Sequence, residues 1–179
     1  MIHLFNAAAA ICTANAGPPP LLPGWLDYYI AQYPPSGLIT QFGTFTTGIL
    51  FTATSGGSCN GVRFWWGTGV GPVSVKAALW RVIDGALIAS ETIPNVAGGA
   101  FHQTTGSFGS HSMTVGLNYI VSTYFSGGYN TVNSLSQIQL PQSFQNKYDV
   151  IGGFMAAAGD NFPGSGPQFA GTYVEPLFA

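Results

Sequence analysis

Six carboxyl groups are all this chain offers for acid–base work: Asp27, Asp84, Glu91, Asp149, Asp160 and Glu175. Glycoside hydrolysis needs two such groups about 5–10 Å apart in a cleft. Asp84 precedes Gly85 and reads as part of a tight turn, so Asp149 and Asp160 are the pair left for a catalytic reading. Loop solvation and turn-making explain them more simply. His3, His102 and His111 are scattered over an N-terminal stretch and a polar loop region, and no G-x-S-x-G elbow accompanies them, so no serine triad is expected. Cys12 and Cys59 make no C-x-x-C and no Cys/His cluster at zinc spacing. Two buried free thiols are the expectation, with one bridge between them as the alternative. Gly67-Thr68-Gly69-Val70-Gly71 imitates a phosphate loop, but Pro72 follows, no helix opens there and no Lys is placed to reach a phosphate. It reads as a connection between strands. No catalytic residue, metal site or cofactor is predicted.

The aromatic side chains carry more weight than the titratable ones. Val62, Phe64 and Trp66 alternate with Arg63 and Trp65, and Val73, Val75, Ala77 and Leu79 alternate with Ser74, Lys76, Ala78 and Trp80. Successive strand residues point to opposite faces. Trp65 and Trp80 therefore fall on the face opposite the apolar alternation, while Trp66 reads as core. If exposed, flat indoles on that face could stack on sugar rings, and Tyr124, Phe125 and Tyr129 beside Gly127-Gly128 would extend the platform. The competing readings are a subunit interface or cover by a loop or by the N-terminal arm.

Charge narrows the choice of partner. The 179 residues include only four Lys or Arg and six Asp or Glu, 6% charged in all against a typical ~25%. Arg63, Lys76, Arg81 and Lys147 are isolated from one another in sequence. Nucleic acid needs clustered cations to neutralise phosphates, and an anionic membrane surface needs a polybasic patch, so neither is an expected partner. No apolar run approaches the ~18–20 residues that span a bilayer. A surface so poor in charge resists aggregation weakly, which suits a protein that lives inside an assembly.

The elements that would position these residues are short and extended. Gly (25) and Pro (12) fill about a fifth of the chain and disfavour long helices, while 13 Phe, 8 Tyr and 4 Trp supply a large core. Residues 1–25 read as an arm: Ile2, Leu4 and Phe5, four alanines, the stiff run Gly17-Pro18-Pro19-Pro20, then Leu21, Leu22 and Trp25. These apolar side chains have no partner within so short a segment, so the arm either folds back on its own domain or docks on a neighbouring subunit; the second is the expectation. Ala7 to Cys12 followed by Ala14-Asn15-Ala16 imitates a secretion signal, but nothing positive precedes the run, so no cleaved signal is expected. Trp25 to Ile30 reads as either a helical turn or a strand. Residues 26–179 read as one domain of period-two runs: Thr44–Phe51, Val62–Trp66, Val73–Trp80, Leu87–Ala89, Ser112–Val115, Asn118–Tyr124, Val150–Ala156 and Thr172–Phe178. Asp84-Gly85 is the strongest hairpin signal. This rhythm, with no βαβ pattern, predicts an all-β sandwich or barrel.

The motifs occur in a specific order: Gly61-Val62-Arg63-Phe64-Trp65-Trp66-Gly67, Ala78-Leu79-Trp80-Arg81, Asp84-Gly85-Ala86-Leu87-Ile88-Ala89, Gly116-Leu117-Asn118-Tyr119-Ile120-Val121-Ser122 and Gly171-Thr172-Tyr173-Val174-Glu175-Pro176-Leu177-Phe178. Over roughly residues 42–179 the chain resembles the bacterial domain-of-unknown-function family 4082. The resemblance implies an antiparallel jelly-roll-like β-sandwich without assigned catalytic residues, of a kind found in extracellular bacterial proteins and actinobacteriophage tail proteins, with Glu175 at the family's acidic terminal-strand position. Two departures, a lone module and a private Pro-rich arm, shift the expected role toward the virion. The expected function is a non-enzymatic structural virion protein, a bacteriophage capsid decoration or minor tail component. Its partners would be other virion proteins and copies of itself. The alternative is a carbohydrate-binding or host-attachment module acting on a surface glycan through Trp65, Trp80, Tyr124 or Tyr129.

Overall fold

The computed structural model describes residues 24–32, 39–42, 44–66, 73–96, 102–125, 129–133, 140–164 and 171–179. The arm residues Ile2, Leu4, Phe5, Leu21 and Leu22 lie outside them, as do the Gly67–Gly71 loop, Cys12 and the side chains of Trp66 and Tyr129. Among the described residues one helix, α1 (Trp25–Gln32), precedes twelve strands: β1 (Ile39–Phe42), β2 (Phe45–Ala53), β3 (Gly57–Trp66), β4 (Val73–Arg81), β5 (Ala86–Val96), β6 (His102–Met113), β7 (Asn118–Phe125), β8 (Tyr129–Asn133), β9 (Gln142–Phe144), β10 (Tyr148–Ala158), β11 (Gly171–Thr172) and β12 (Val174–Phe178).

The strands form an antiparallel β-sandwich. A six-stranded sheet in the order β5-β4-β7-β2-β10-β9 faces a three-stranded sheet β12-β3-β6, and β1-β8-β11 makes a further small sheet. Alternation decides which residues meet between the layers. Ile49 and Phe51 of β2, Val75, Ala77 and Leu79 of β4, and Tyr119 and Val121 of β7 join Val62 and Phe64 of β3 and Val174 of β12 in one buried cluster. Burying a side chain of this size contributes roughly 1.5–3 kcal/mol, so this cluster is the main source of stability. Between β4 and β5 the chain reverses through Val82–Gly85, with Gly85 at φ +65° and the Ala86 N–H donating to Asp84 Oδ1 at 3.2 Å. The Asp-Gly pair makes the turn that its sequence predicts, because only glycine adopts that φ without a steric cost.

Two expectations are corrected here. Ser112–Val115 is not a strand of its own: β6 begins at His102 and ends at Met113, and Val115 sits in the turn at Gly116, φ +81°. Apart from Phe108 and Met113, β6 carries polar residues and glycine and shows no apolar alternation, yet its pairing with β3 holds it as a strand. The larger correction concerns Trp25. The sequence assigns it to a docking arm, but it is wholly buried in the chain's own core. Its ring stacks on Tyr29 at 5.2 Å and meets the edge of Phe144 at 5.9 Å, and its Nε1–H donates to the Thr172 carbonyl at 3.1 Å. The domain therefore begins at Gly24 at the latest, with α1 as a structural part of it. An eight-residue helix is marginal alone; this one is held by what its first turn touches.

Candidate functional site

The densest polar constellation among the described residues lies where α1 meets β12 and β3. Glu175 stands on β12 opposite Arg63 on β3. Although only 2% exposed, its carboxylate accepts from the Arg63 guanidinium and, at 2.8 Å, from the Leu26 N–H. The Arg63 Nη2 also reaches Asp27 Oδ2 at 2.8 Å. The Trp25 N–H donates to the Tyr148 hydroxyl at 3.1 Å. A helix leaves its first N–H groups without intrahelical partners. Here a carboxylate from a distant strand and a phenol take over the work of a capping side chain, and the helix-end dipole favours the negative charge. Gly24 permits this approach: a Cβ there would stand 2.7 Å from Glu175 Oε2.

Burial pushes the Glu175 carboxyl above the usual range, and the Leu26 N–H and Arg63 only partly offset that. Burial likewise drives the Tyr148 phenol up. The two oxygens of Glu175 are taken by the helix end and the arginine, so the arrangement binds one element of the fold to another. Sequence reading passed over Arg63 and Glu175 as a pair. The available signal was a single charge in each of two strands, beside Val62 and Phe64 in one and Val174 in the other.

A second cluster occupies the outer face of the six-stranded sheet. Ala78, Trp80, Ile120 and Met155 are buried there, with Leu50, Val82 and Phe162 packed around them. Trp80 does lie on the face opposite the main core, as its alternation predicts, but it is 7% exposed. Phe162 meets it edge-on at 5.9 Å, and its Nε1–H donates to Ser122 Oγ at 2.8 Å. The chain past β10 is fastened over this face. Thr46 Oγ1 donates to the Gly159 carbonyl at 2.7 Å, the Gly159 N–H donates to the Thr44 carbonyl at 2.6 Å, and Lys76 pairs with Asp160 at 2.8 Å. Trp80 as a sugar-stacking surface is thus corrected: a loop covers it.

The other predicted aromatics stand on strands of three different sheets. Trp65 belongs to the opposite, three-stranded sheet and packs half-buried against the main cluster. Tyr124 is half-buried, level with Lys76 and Thr46, and the Tyr129 backbone pairs with Phe42 in the small sheet. Asp149 and Asp160 also stay apart. Asp149 is the second residue of the eleven-residue β10 and Asp160 lies two residues past its end, so on the order of 30 Å separates them, several times the spacing that glycoside hydrolysis requires. Asp149 accepts from Ser143 Oγ at 2.6 Å. The His111 ring lies 3.2 Å from the Phe108 carbonyl. Among the described residues no three His, Cys, Asp or Glu side chains are grouped to hold a metal ion, and no helix is long and apolar enough to cross a membrane.

Cys59 is free and wholly buried. Burial pushes its thiol from 9.0 up to about 11, against weaker opposing bonds to the backbone at Gly61 and Leu177. A raised folded-state value means that stability is fully present below pH 9 and is lost as pH climbs toward 11, by roughly 2–3 kcal/mol. In a Cys12→Ser chain, Cys59 should resist a thiol-labelling disulfide reagent at pH 8 and react once urea unfolds the protein. Rapid labelling of the folded chain would contradict the burial.

Compared with known protein families and with curated proteins, the chain matches no family model and no curated sequence.

Proposed function

We propose that this chain is a non-enzymatic structural subunit of a virus particle, a bacteriophage capsid decoration or minor tail component, that assembles through its N-terminal segment and its neutral surfaces. One observation supports this reading above the rest: each of the ten charged side chains is engaged within the fold. Arg63 pairs with Asp27 and Glu175, Lys76 with Asp160, and Arg81 with Asp84. Lys147 donates to the Ala179 carbonyl at 2.8 Å, Asp149 accepts from Ser143, and Glu91 accepts from the Ser107 N–H. The few charges are paired or hydrogen-bonded within the fold, those left half-exposed, such as Arg81 with Asp84 and Lys76 with Asp160, among them, and most of the remaining surface is uncharged. Low charge keeps molecules apart poorly and favours neighbours over solvent. The strand exchange adds support for a jelly-roll-like wrap: β2, β7 and β4 lie side by side while β3 and β6 pair in the facing sheet.

The test is the light-scattering mass of the full chain and of a chain that starts at Pro23. The cut must precede Gly24, because removing Trp25 would open the core. The full chain is expected to be oligomeric and the shortened one a folded monomer. Two monomers of unchanged behaviour would overturn assembly through the N-terminal segment.

A further inference from the structure

Among the described residues the three sheets end in β5 and β9, in β12 and β6, and in β1 and β11. Five of these edges are poor templates for further pairing. β9, β11 and β1 have three, two and four residues. β12 carries Pro176 and has α1 fastened beside it through Glu175. β5 carries Pro94 and leaves the extended range at Asn95, φ +54°. Short length, proline and local bends are how sheet edges are kept from pairing with other chains. β6 is different. Its twelve residues include no proline, Asp, Glu, Lys or Arg. A bulge protects only its second half, where the register slips opposite Asn60 and Gly109 takes φ +82°. The stretch His102–Ser107 stays regular.

The ladder fixes which peptide groups of that stretch face outward. The Trp65 N–H donates to the Tyr173 carbonyl at 2.9 Å, so Trp65 turns its peptide groups away from β6. Gln103 stands opposite Trp65, and Thr105 and Ser107 follow at two-residue steps. In an antiparallel pair such residues turn their own N–H and C=O groups away from the partner strand. Those of Gln103 and Thr105 meet no partner among the described residues. The Ser107 N–H does: it donates to the Glu91 carboxylate.

Glu91 comes from the facing sheet. It stands opposite Ala77, which is wholly buried, so its side chain leaves β5 on the core side. Gly106 brings the two layers close enough for it to reach β6. A Cβ there would stand 2.6 Å from Ala77 Cβ and 3.0 Å from Ile93 Cδ1. A charge turned inward on an edge strand is a further device against pairing, and this one lies across the edge of the neighbouring sheet. A strand laid along β6 would have to displace the carboxylate from Ser107 and enclose it, leaving a charge without a partner.

We infer that His102–Ser107 is a latent pairing edge, and that Glu91 guards it against the same stretch of a second copy. With the other described edges closed, two β6 strands meeting antiparallel about a two-fold axis is the strand pairing left to this chain. No charge within β6 opposes it. The guard goes beyond the reading of the chain as a virion subunit and does not depend on it.

Glu91→Ala in the full chain tests it, with folding checked by circular dichroism. Mass is followed by light scattering across concentration, and amide exchange is read at Gln103, Thr105 and Ser107. The variant is expected to self-associate at concentrations roughly tenfold or more below the parent, the scale of a few added backbone hydrogen bonds. Exchange at Ser107 should be faster than in the parent when dilute, and all three amides should slow as association proceeds. Glu91→Thr, which places a strand-favouring residue there, gives the same reading if alanine disturbs the fold. Adding Thr105→Pro removes an outward N–H and no bond to β3, so the double variant should return to the parent's mass. A folded Glu91→Ala chain with the parent's mass at every concentration overturns the guard. Added association that Thr105→Pro leaves intact, or that leaves the three amides unprotected, overturns the β6 edge as its seat.

Discussion

Trp25→Ala should cost about 3–5 kcal/mol of folding stability, read as a fall in the urea midpoint at unchanged slope. The indole is wholly buried between Tyr29 and Phe144, so truncation removes apolar contact and leaves a cavity that the flanking rings cannot fill without leaving their own partners. It also strands the Thr172 carbonyl that the indole N–H satisfies. Trp25→Phe separates the two contributions: it keeps an aromatic in the slot and loses the hydrogen bond, at an expected cost of about 1–3 kcal/mol. A stability unchanged by Trp25→Ala would mean that α1 is not docked in solution, and with it the first layer of the domain would fall. A docking role for Trp25 on another subunit predicts the opposite pattern, with monomer stability intact and association lost.

Glu175→Ala carries the second large effect, also about 3–5 kcal/mol, the usual result of leaving one member of a buried ion pair without its partner. The Leu26 N–H loses its acceptor and Arg63 is left with the exposed Asp27 alone. Glu175→Gln should recover most of that loss, because the amide oxygen still accepts from the helix end. Burial already raises the Glu175 carboxyl, so within this site the negative charge is less favoured than in the unfolded chain. The sign follows. A raised carboxyl contributes stability that is present below 4.5 and declines as pH rises through its folded value. The stability difference between parent and Glu175→Gln should therefore move in favour of glutamine from pH 4 to pH 7. A shift in the other direction would show that Arg63 outweighs burial, and the capping hydrogen bond would no longer be the main contribution.

Alternation along β4 told which face Trp80 occupies, because a strand's side chains must alternate whatever surrounds it. It did not tell what covers that face. Trp80 is shielded by Phe162, eighty-two positions further along, on a stretch fastened through Thr46 and Asp160, and no local pattern records such a meeting. Trp25 is the same problem at the other end of the chain. Its neighbours in sequence, Pro23 and Gly24, look like the end of a spacer, while the groups that bury it come from Phe144, Tyr148 and Thr172.

What the amino-acid order determines by itself is the class of fold and the shortage of free charge. Short period-two runs divided by Gly and Pro leave little besides antiparallel sheets, and ten charges among 179 residues leave a sparsely charged surface however they are placed. The Asp84-Gly85 turn belongs here too, since the positive φ it needs is a property of glycine alone. The tertiary structure decided where the ten charges go, which strand of apolar residues admits Glu175, and that α1 is part of the core. The placing of Glu175 and of α1 depends on contacts between residues more than a hundred positions apart, such as Arg63 with Glu175 and Trp25 with Tyr148, where the energy of burial exceeds the local preferences that sequence patterns express.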